Sequence, residues 1–204
     1  ELTLGLPPQV TAATGIDAMV HAIEAFTTKR LKNPVSDCLA KEALRLLAGN
    51  LHAAVNAGDN ILVRENMLLG ACLAGMAFTN APVAGVHALA YPIGARFHVS
   101  HGLSNALMLG PVMRFNIVQA HAMYAELGQI IKPGLQGSST EQATQLADYL
   151  GGLAGDLGLP KRLAEVGIAA SDIEQLASDA MLQTRLLQNS PREITVTDAN
   201  ALYR

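Results

Sequence analysis

Two groups of side chains in this sequence could bind a divalent metal ion. Asp17 and His21 are four residues apart in a stretch with helical periodicity, which places both side chains on one face of a helix. A second stretch, interrupted by glycines and a proline, contains His87, His98 and His101. Neutral imidazoles with one carboxylate favour Fe(II) or Zn(II) over calcium or magnesium. On residue type alone, the alternatives to metal binding are a solvated surface pair for Asp17 and His21 and core packing for the other histidines.

The elements that must position these side chains are helices. Apolar residues at three- and four-residue spacing predict an all-α domain of about eight or nine helices over residues 1–204, after an extended lead-in of about eight residues. The helix at about 60–79 is apolar nearly all round, which predicts a buried position. The predicted helices span about Thr11–Thr28, 35–57, 60–79, 102–116, 117–131, 141–155 and Ser171–Leu187, with a break at Gly110-Pro111 and a last short helix from Thr197.

Composition narrows the class of protein. Half of the residues are hydrophobic, and the scarcity of aromatic residues (4%) with abundant alanine and leucine favours helix over strand. The net charge of −3 excludes the basic footprint of a nucleic-acid-binding protein. With no signal peptide and no apolar run long enough to span a membrane, the expectation is a cytoplasmic protein without membrane contact. Cys38 and Cys72 are expected to pack in the core.

Two motifs together resemble the signatures of the iron-containing (group III) alcohol dehydrogenases. The first is Pro7-x4-Ala12-x-Thr14-x2-Asp17-Ala-Met, continuing to Glu24. The second is His87-x3-Tyr91-Pro-x-Gly94, followed by His101-Gly102-x2-Asn105-Ala106. The segment between the motifs and the C-terminal end are also similar to that family. The resemblance therefore covers the whole chain.

The resemblance implies a fold and a missing partner. It implies the all-α, metal-binding C-terminal half of a two-domain, dehydroquinate synthase-like architecture. The N-terminal nucleotide-binding α/β domain is then absent from this chain, and no cofactor-binding residue is assigned in it. The glycines of the segment 150–155 end a helical pattern and follow no strand, so they do not form a phosphate-binding loop. The family also implies a homo-oligomer, a dimer or larger.

The resemblance also implies a metal site and a reaction. Its ligands are Asp17, His21, His87 and His101, its metal is Fe(II) with Zn(II) as the alternative, and its second cofactor is NAD or NADP. Where the family often has another histidine, this sequence has Tyr91. Three interpretations stay open: Tyr91 donates a proton, it lines the pocket while His98 relays the proton, or it is only a packed aromatic residue.

The implied function is the interconversion of an alcohol with an aldehyde or ketone. The alternatives are a glycerol dehydrogenase or maleylacetate reductase of the same superfamily, or a helical fragment without activity. Around the site, Glu24 is either a hydrogen-bond partner of an imidazole or a surface carboxylate. Arg96 is expected in a surface salt bridge, and His52 and His121 are expected to be structural.

Overall fold

Nine α-helices and two short 3-10 turns make up the fold, which a computed structural model describes for all of residues 1–204. The all-α prediction is confirmed, because no residue is in a β-strand. The helices are α1 (Pro8–Thr27), α2 (Pro34–Asn56), α3 (Ile61–Asn80), α4 (Gly85–Phe97), α5 (His101–Ile131), α6 (Ser139–Asp156), α7 (Ile173–Ala180), α8 (Thr184–Leu187) and α9 (Val196–Leu202).

Helix α1 is central to the fold and carries the first motif. It packs against α2, α3 and α5, and its side chains Ile16, Met19 and Ile23 are almost fully buried. Asp17 and His21 lie on the edge of this apolar face and remain partly exposed. The core contacts of α1 therefore fix the direction in which these two polar side chains project.

Helix α5 corrects the prediction of two helices, one over 102–116 with a break at Gly110-Pro111 and one over 117–131. It runs without a break for 31 residues, with Pro111 inside it. An interior proline removes one backbone hydrogen bond and costs about 3 kcal/mol. Packing against α6 offsets that loss: a Cβ placed on Gly110 would lie only 2.7 Å from the Cα of Gly151. Gly151 lies within α6, so the glycines of residues 150–155 belong to a helix rather than to a loop.

Helix α3 corrects the prediction of a buried position. Its small residues Gly70, Ala74 and Ala77 face the protein, while Leu62 and Leu69 are more than half exposed. Small residues let α3 approach α2 closely, so the large apolar side chains are left on the outer face. By length and composition α3 could also cross a membrane, contrary to the expectation that no segment could. One such helix is weak support for a membrane span, because it meets the test by length and composition only.

Three smaller expectations were also wrong. The first residues form turns rather than an extended segment, with Leu4 N–H donating to the carbonyl of Glu1. The helix expected over residues 171–187 is divided into α7 and α8, because the apolar face ends at Ala180 and the chain then turns with Leu182 exposed. Cys38 and Cys72 are both exposed rather than packed in the core.

Candidate functional site

Three helices bring four potential metal ligands together. Asp17 and His21 come from α1, His87 comes from the first turn of α4, and His101 is the first residue of α5. One donor atom from each residue lies within 4.8 Å of all the others. The two motifs, separated by more than sixty residues in the sequence, therefore converge on one point.

The donor atoms face one another at short range. His87 Nε2 lies 3.1 Å from His21 Nε2. Asp17 Oδ1 lies 3.5 Å from His101 Nε2 and 3.8 Å from His87 Nε2. His87 is 1% exposed, whereas the His101 side chain is 49% exposed, so the cluster is closed on the α1–α4 side and open at the start of α5.

Hydrogen bonds define which ring nitrogens of His21 and His87 carry protons. His21 Nδ1 lies 2.8 Å from the Asp17 carbonyl oxygen, and His87 Nδ1 lies 2.7 Å from Glu24 Oε2. Because both oxygens are acceptors, each Nδ1 must carry the proton and donate it. In the neutral rings, both Nε2 atoms then present lone pairs to each other. Two lone pairs at 3.1 Å repel unless a cation lies between them, so this donor set fits a divalent metal.

The environment of His21 favours its neutral form. Burial lowers the pKa of His21, and the neighbouring His87 lowers it further, although Asp17 acts in the opposite direction. Phe78 from α3 stacks on the ring, with centroids 4.5 Å apart. A neutral, firmly held imidazole is the state in which histidine ligates metals.

Asn105 links the ligands on the open side of the cluster. It is fully buried, its Nδ2 donates to Asp17 Oδ1 at 2.6 Å, and the same atom lies 3.1 Å from His101 Nε2. Its Oδ1 is buried without a hydrogen-bond partner. The sequence motif contains Asn105, but its contact with Asp17 spans 88 residues, and nothing in the local pattern indicates it.

Tyr91 lies beside the cluster and His98 does not. The Tyr91 ring centroid is 5.8 Å from that of His101 and 6.2 Å from that of His87. His98 ends α4 in a left-handed conformation (φ 54°), and its side chain is exposed and makes no hydrogen bond. Of the two residues predicted for proton transfer, the structure brings only Tyr91 against the ligands.

Two cavities open onto the cluster. One, of about 490 Å³, is lined by Asp17, His101 and residues at the start of α1. The other, of about 590 Å³, is lined by Tyr91, His101 and Asp179. His101 borders both cavities, so a small molecule in either cavity could reach the open side of the cluster.

Of the remaining predicted side chains, Arg96, His52 and His121 make no contact with the cluster, whereas Glu24 does. Arg96 forms a salt bridge with Asp179, as expected. His52 is exposed on α2, and His121 pairs with the Ser139 hydroxyl at 2.8 Å. Glu24 is 4% exposed, so it is not a surface carboxylate; it bonds to His87 rather than to its helical neighbour His21.

The fold and the site define a class: a helical domain that gathers one carboxylate and three imidazoles beside open cavities. The family model for the C-terminal part of the Fe-containing alcohol dehydrogenase family matches residues 11–204. Long-chain-alcohol dehydrogenase 1 of Geobacillus thermodenitrificans is 42% identical over all 204 residues of the chain, which cover 51% of that relative.

Solved structures show the same similarity. The crystal structure of a 1,3-propanediol oxidoreductase superposes with a TM-score of 0.94 at 35% identity, over 98% of this chain and 52% of that one. A sulfoacetaldehyde reductase from Bifidobacterium kashiwanohense, solved in complex with NAD+, gives a TM-score of 0.86 at 28% identity, over 99% of this chain and 51% of that one.

The chain belongs to the iron-containing alcohol dehydrogenase family and corresponds to its C-terminal helical domain. It spans about half the length of the relatives it matches. Its relatives support an alcohol or aldehyde oxidoreductase activity for the family.

Proposed function

We propose that this chain is the metal-binding half of an NAD- or NADP-dependent dehydrogenase that interconverts a small alcohol and its aldehyde or ketone. The observation that carries the proposal is the pair of Nε2 atoms of His21 and His87, which face each other at 3.1 Å as lone-pair donors. A scaffold domain without metal has no use for this arrangement, because the repulsion is left uncompensated. The facing Nε2 atoms therefore favour a catalytic domain over a helical fragment without activity.

Asp17, His21, His87 and His101 would hold the metal. Three neutral imidazoles and one carboxylate leave a divalent ion with net positive charge, and this donor set suits Fe(II) or Zn(II). We propose Fe(II), in keeping with the family, with Zn(II) as the alternative. A metal bound there would supply Lewis acidity toward the substrate oxygen.

The chain's own residues would orient the substrate and handle its proton. Tyr91 borders the larger cavity and lies against His101, so its hydroxyl is the favoured donor to the substrate oxygen during carbonyl reduction. His98 remains the alternative relay. The exposure of His101 leaves the open side of the cluster accessible from both cavities.

The nicotinamide cofactor would be held largely by another domain. An N-terminal nucleotide-binding α/β domain, as the family resemblance implies, would account for the part of the relatives' length that this chain does not span. We propose that residues 1–204 form one domain beside it. We also propose that the enzyme is cytoplasmic and that it forms a dimer or a larger homo-oligomer.

Metal analysis with a matched pair of variants tests this function. The full-length polypeptide that carries this chain would be loaded anaerobically with Fe(II) or Zn(II), beside His87→Ala and the control His52→Ala. We expect one metal per chain and alcohol-dependent reduction of NAD or NADP, both lost in His87→Ala and kept in His52→Ala. Activity retained by His87→Ala would overturn the proposed site.

A further inference from the structure

Glu24 occupies an unusual position for a carboxylate in a helical core. It lies on α1, one turn beyond His21, and is 4% exposed. No lysine or arginine forms a salt bridge with it; its side-chain partner is the His87 imidazole. A buried carboxylate is costly unless hydrogen bonds compensate for its lost hydration, so its partners must explain its presence.

The partners of Glu24 are the first turn of α4 and the imidazole that this turn carries. Oε2 accepts the Ala84 N–H at 2.9 Å and Oε1 accepts the Val86 N–H at 2.7 Å. Oε2 also accepts the His87 Nδ1–H at 2.7 Å. Ala84, the residue before the helix, has no side chain that could cap it. Glu24 therefore caps α4 from another helix, where the positive end of the helix dipole favours a negative charge.

This geometry fixes His87 in two ways. The cap holds the backbone from which His87 projects, and the third bond holds the ring in its Nδ1–H tautomer. Because Nδ1 is committed to Glu24, Nε2 is left without a proton and faces His21 Nε2 and Asp17 Oδ1. We propose that Glu24 is a positioning residue that presents the His87 Nε2 lone pair to the metal. This inference rests on the proposed metal function.

The amide variant Glu24→Gln tests this role, because it keeps the shape of the side chain but changes its hydrogen bonding to α4 and to the His87 ring. Glutamine keeps the size of the side chain and one carbonyl acceptor, but its NH2 group must meet one of the three donors. Where the NH2 group takes the place of Oε2, the His87 tautomer with a proton on Nε2 becomes favourable, since Nδ1 then accepts from the amide. That tautomer has no lone pair for the metal. Loss of comparable partners of metal-bound histidines lowers metal affinity by about 10–100-fold.

Three measurements on the full-length polypeptide test the proposal. The first is Zn(II) affinity by competition with a chromophoric chelator, for wild type, Glu24→Gln and the control Glu174→Gln, an exposed glutamate on α7. The second is the visible spectrum of the Co(II)-loaded proteins, which reports the ligand field. The third is the tautomer of His87 by ¹⁵N NMR of the metal-free wild type, assigned by comparison with His87→Ala.

We expect an Nδ1–H tautomer in the wild type, a 10–100-fold weaker Zn(II) affinity in Glu24→Gln with an altered Co(II) spectrum, and wild-type behaviour in Glu174→Gln. A variant affinity within twofold of wild type, or an Nε2–H tautomer in the wild type, would overturn the role of Glu24. If Glu24→Gln does not fold, the wild-type tautomer still decides the question. Absence of metal binding in the wild type would instead overturn the proposed function itself.

Discussion

The cluster has a closed half and an open half, and they differ in how their side chains are held. The closed half consists of His21, His87 and Glu24, with both imidazole Nδ1 atoms committed to protein acceptors. The open half consists of His101 and Tyr91, which are 49% and 40% exposed. No backbone group or carboxylate holds either of these rings through a hydrogen bond.

This difference suggests a division of roles. Donors that are locked by hydrogen bonds fix the position of a metal at low cost on binding, because little side-chain freedom remains to be lost. Donors at an open edge leave room for a substrate oxygen and for a proton donor. Asp17 and Asn105 lie between the halves, since Asn105 contacts both Asp17 and His101.

The largest expected contrast is between the alanine variants of the two halves. His87→Ala and His101→Ala should both abolish metal-dependent activity, but only His87→Ala should destabilise the metal-free protein, by about 1–3 kcal/mol. The reason is that His87 is buried and bonded to Glu24, whereas His101 is half exposed. Urea unfolding in the presence of a chelator measures this difference. Equal unfolding free energies would show that the two halves are not held differently.

The next effect concerns the proton donor of the open half. Tyr91→Phe removes the hydroxyl but keeps the ring beside His101. If Tyr91 donates the proton, kcat of the full-length enzyme should fall by about 100-fold, the lower range for a general acid. Metal affinity should stay the same, because no ligand is touched. Steady-state kinetics with metal titration distinguishes this result from a simple loss of metal.

A smaller effect is expected at the junction of the halves. Asn105→Ala removes the donor that holds Asp17 Oδ1 and should weaken Zn(II) binding by about tenfold. Asn116→Ala provides the matched control, since Asn116 is a buried asparagine on the same helix, away from the cluster. Both variants should lose stability, but only Asn105→Ala should lose metal affinity. Equal affinities in the two variants would remove Asn105 from the site.

Local spacing indicated a possible metal-binding cluster and the family resemblance assigned four ligands to it, but neither indicated the groups that hold those side chains. Asp17 and His21 share a helix face, and glycines and a proline mark the segment of His87 and His101 as unusual. The Glu24–His87 hydrogen bond joins residues 63 positions apart. No local pattern could therefore decide whether Glu24 is the partner of an imidazole or a surface carboxylate.

The fold class followed from composition and periodicity, whereas burial and helix continuity did not. The hydrophobicity of α3 indicated a buried helix, but close packing through its small residues turned the leucines outward. Pro111 indicated a helix break, but contact between Gly110 and Gly151 keeps α5 continuous. In both cases tertiary packing overrode the local signal. The packing depends on neighbours that are distant in sequence, so the local pattern does not contain it.

The smallest effect is expected at His98, the other residue predicted for proton transfer. It adopts a left-handed conformation with an exposed side chain, and asparagine tolerates this conformation without strain. His98→Asn should therefore leave unfolding free energy within about 0.5 kcal/mol and metal affinity unchanged. Because no hydrogen bond or ring contact joins His98 to Tyr91 or to the ligands, kcat should stay within about twofold, far from the loss expected of a general acid. A loss of kcat in His98→Asn that matches the loss in Tyr91→Phe would instead extend the open half to His98 and make that residue part of the proton path.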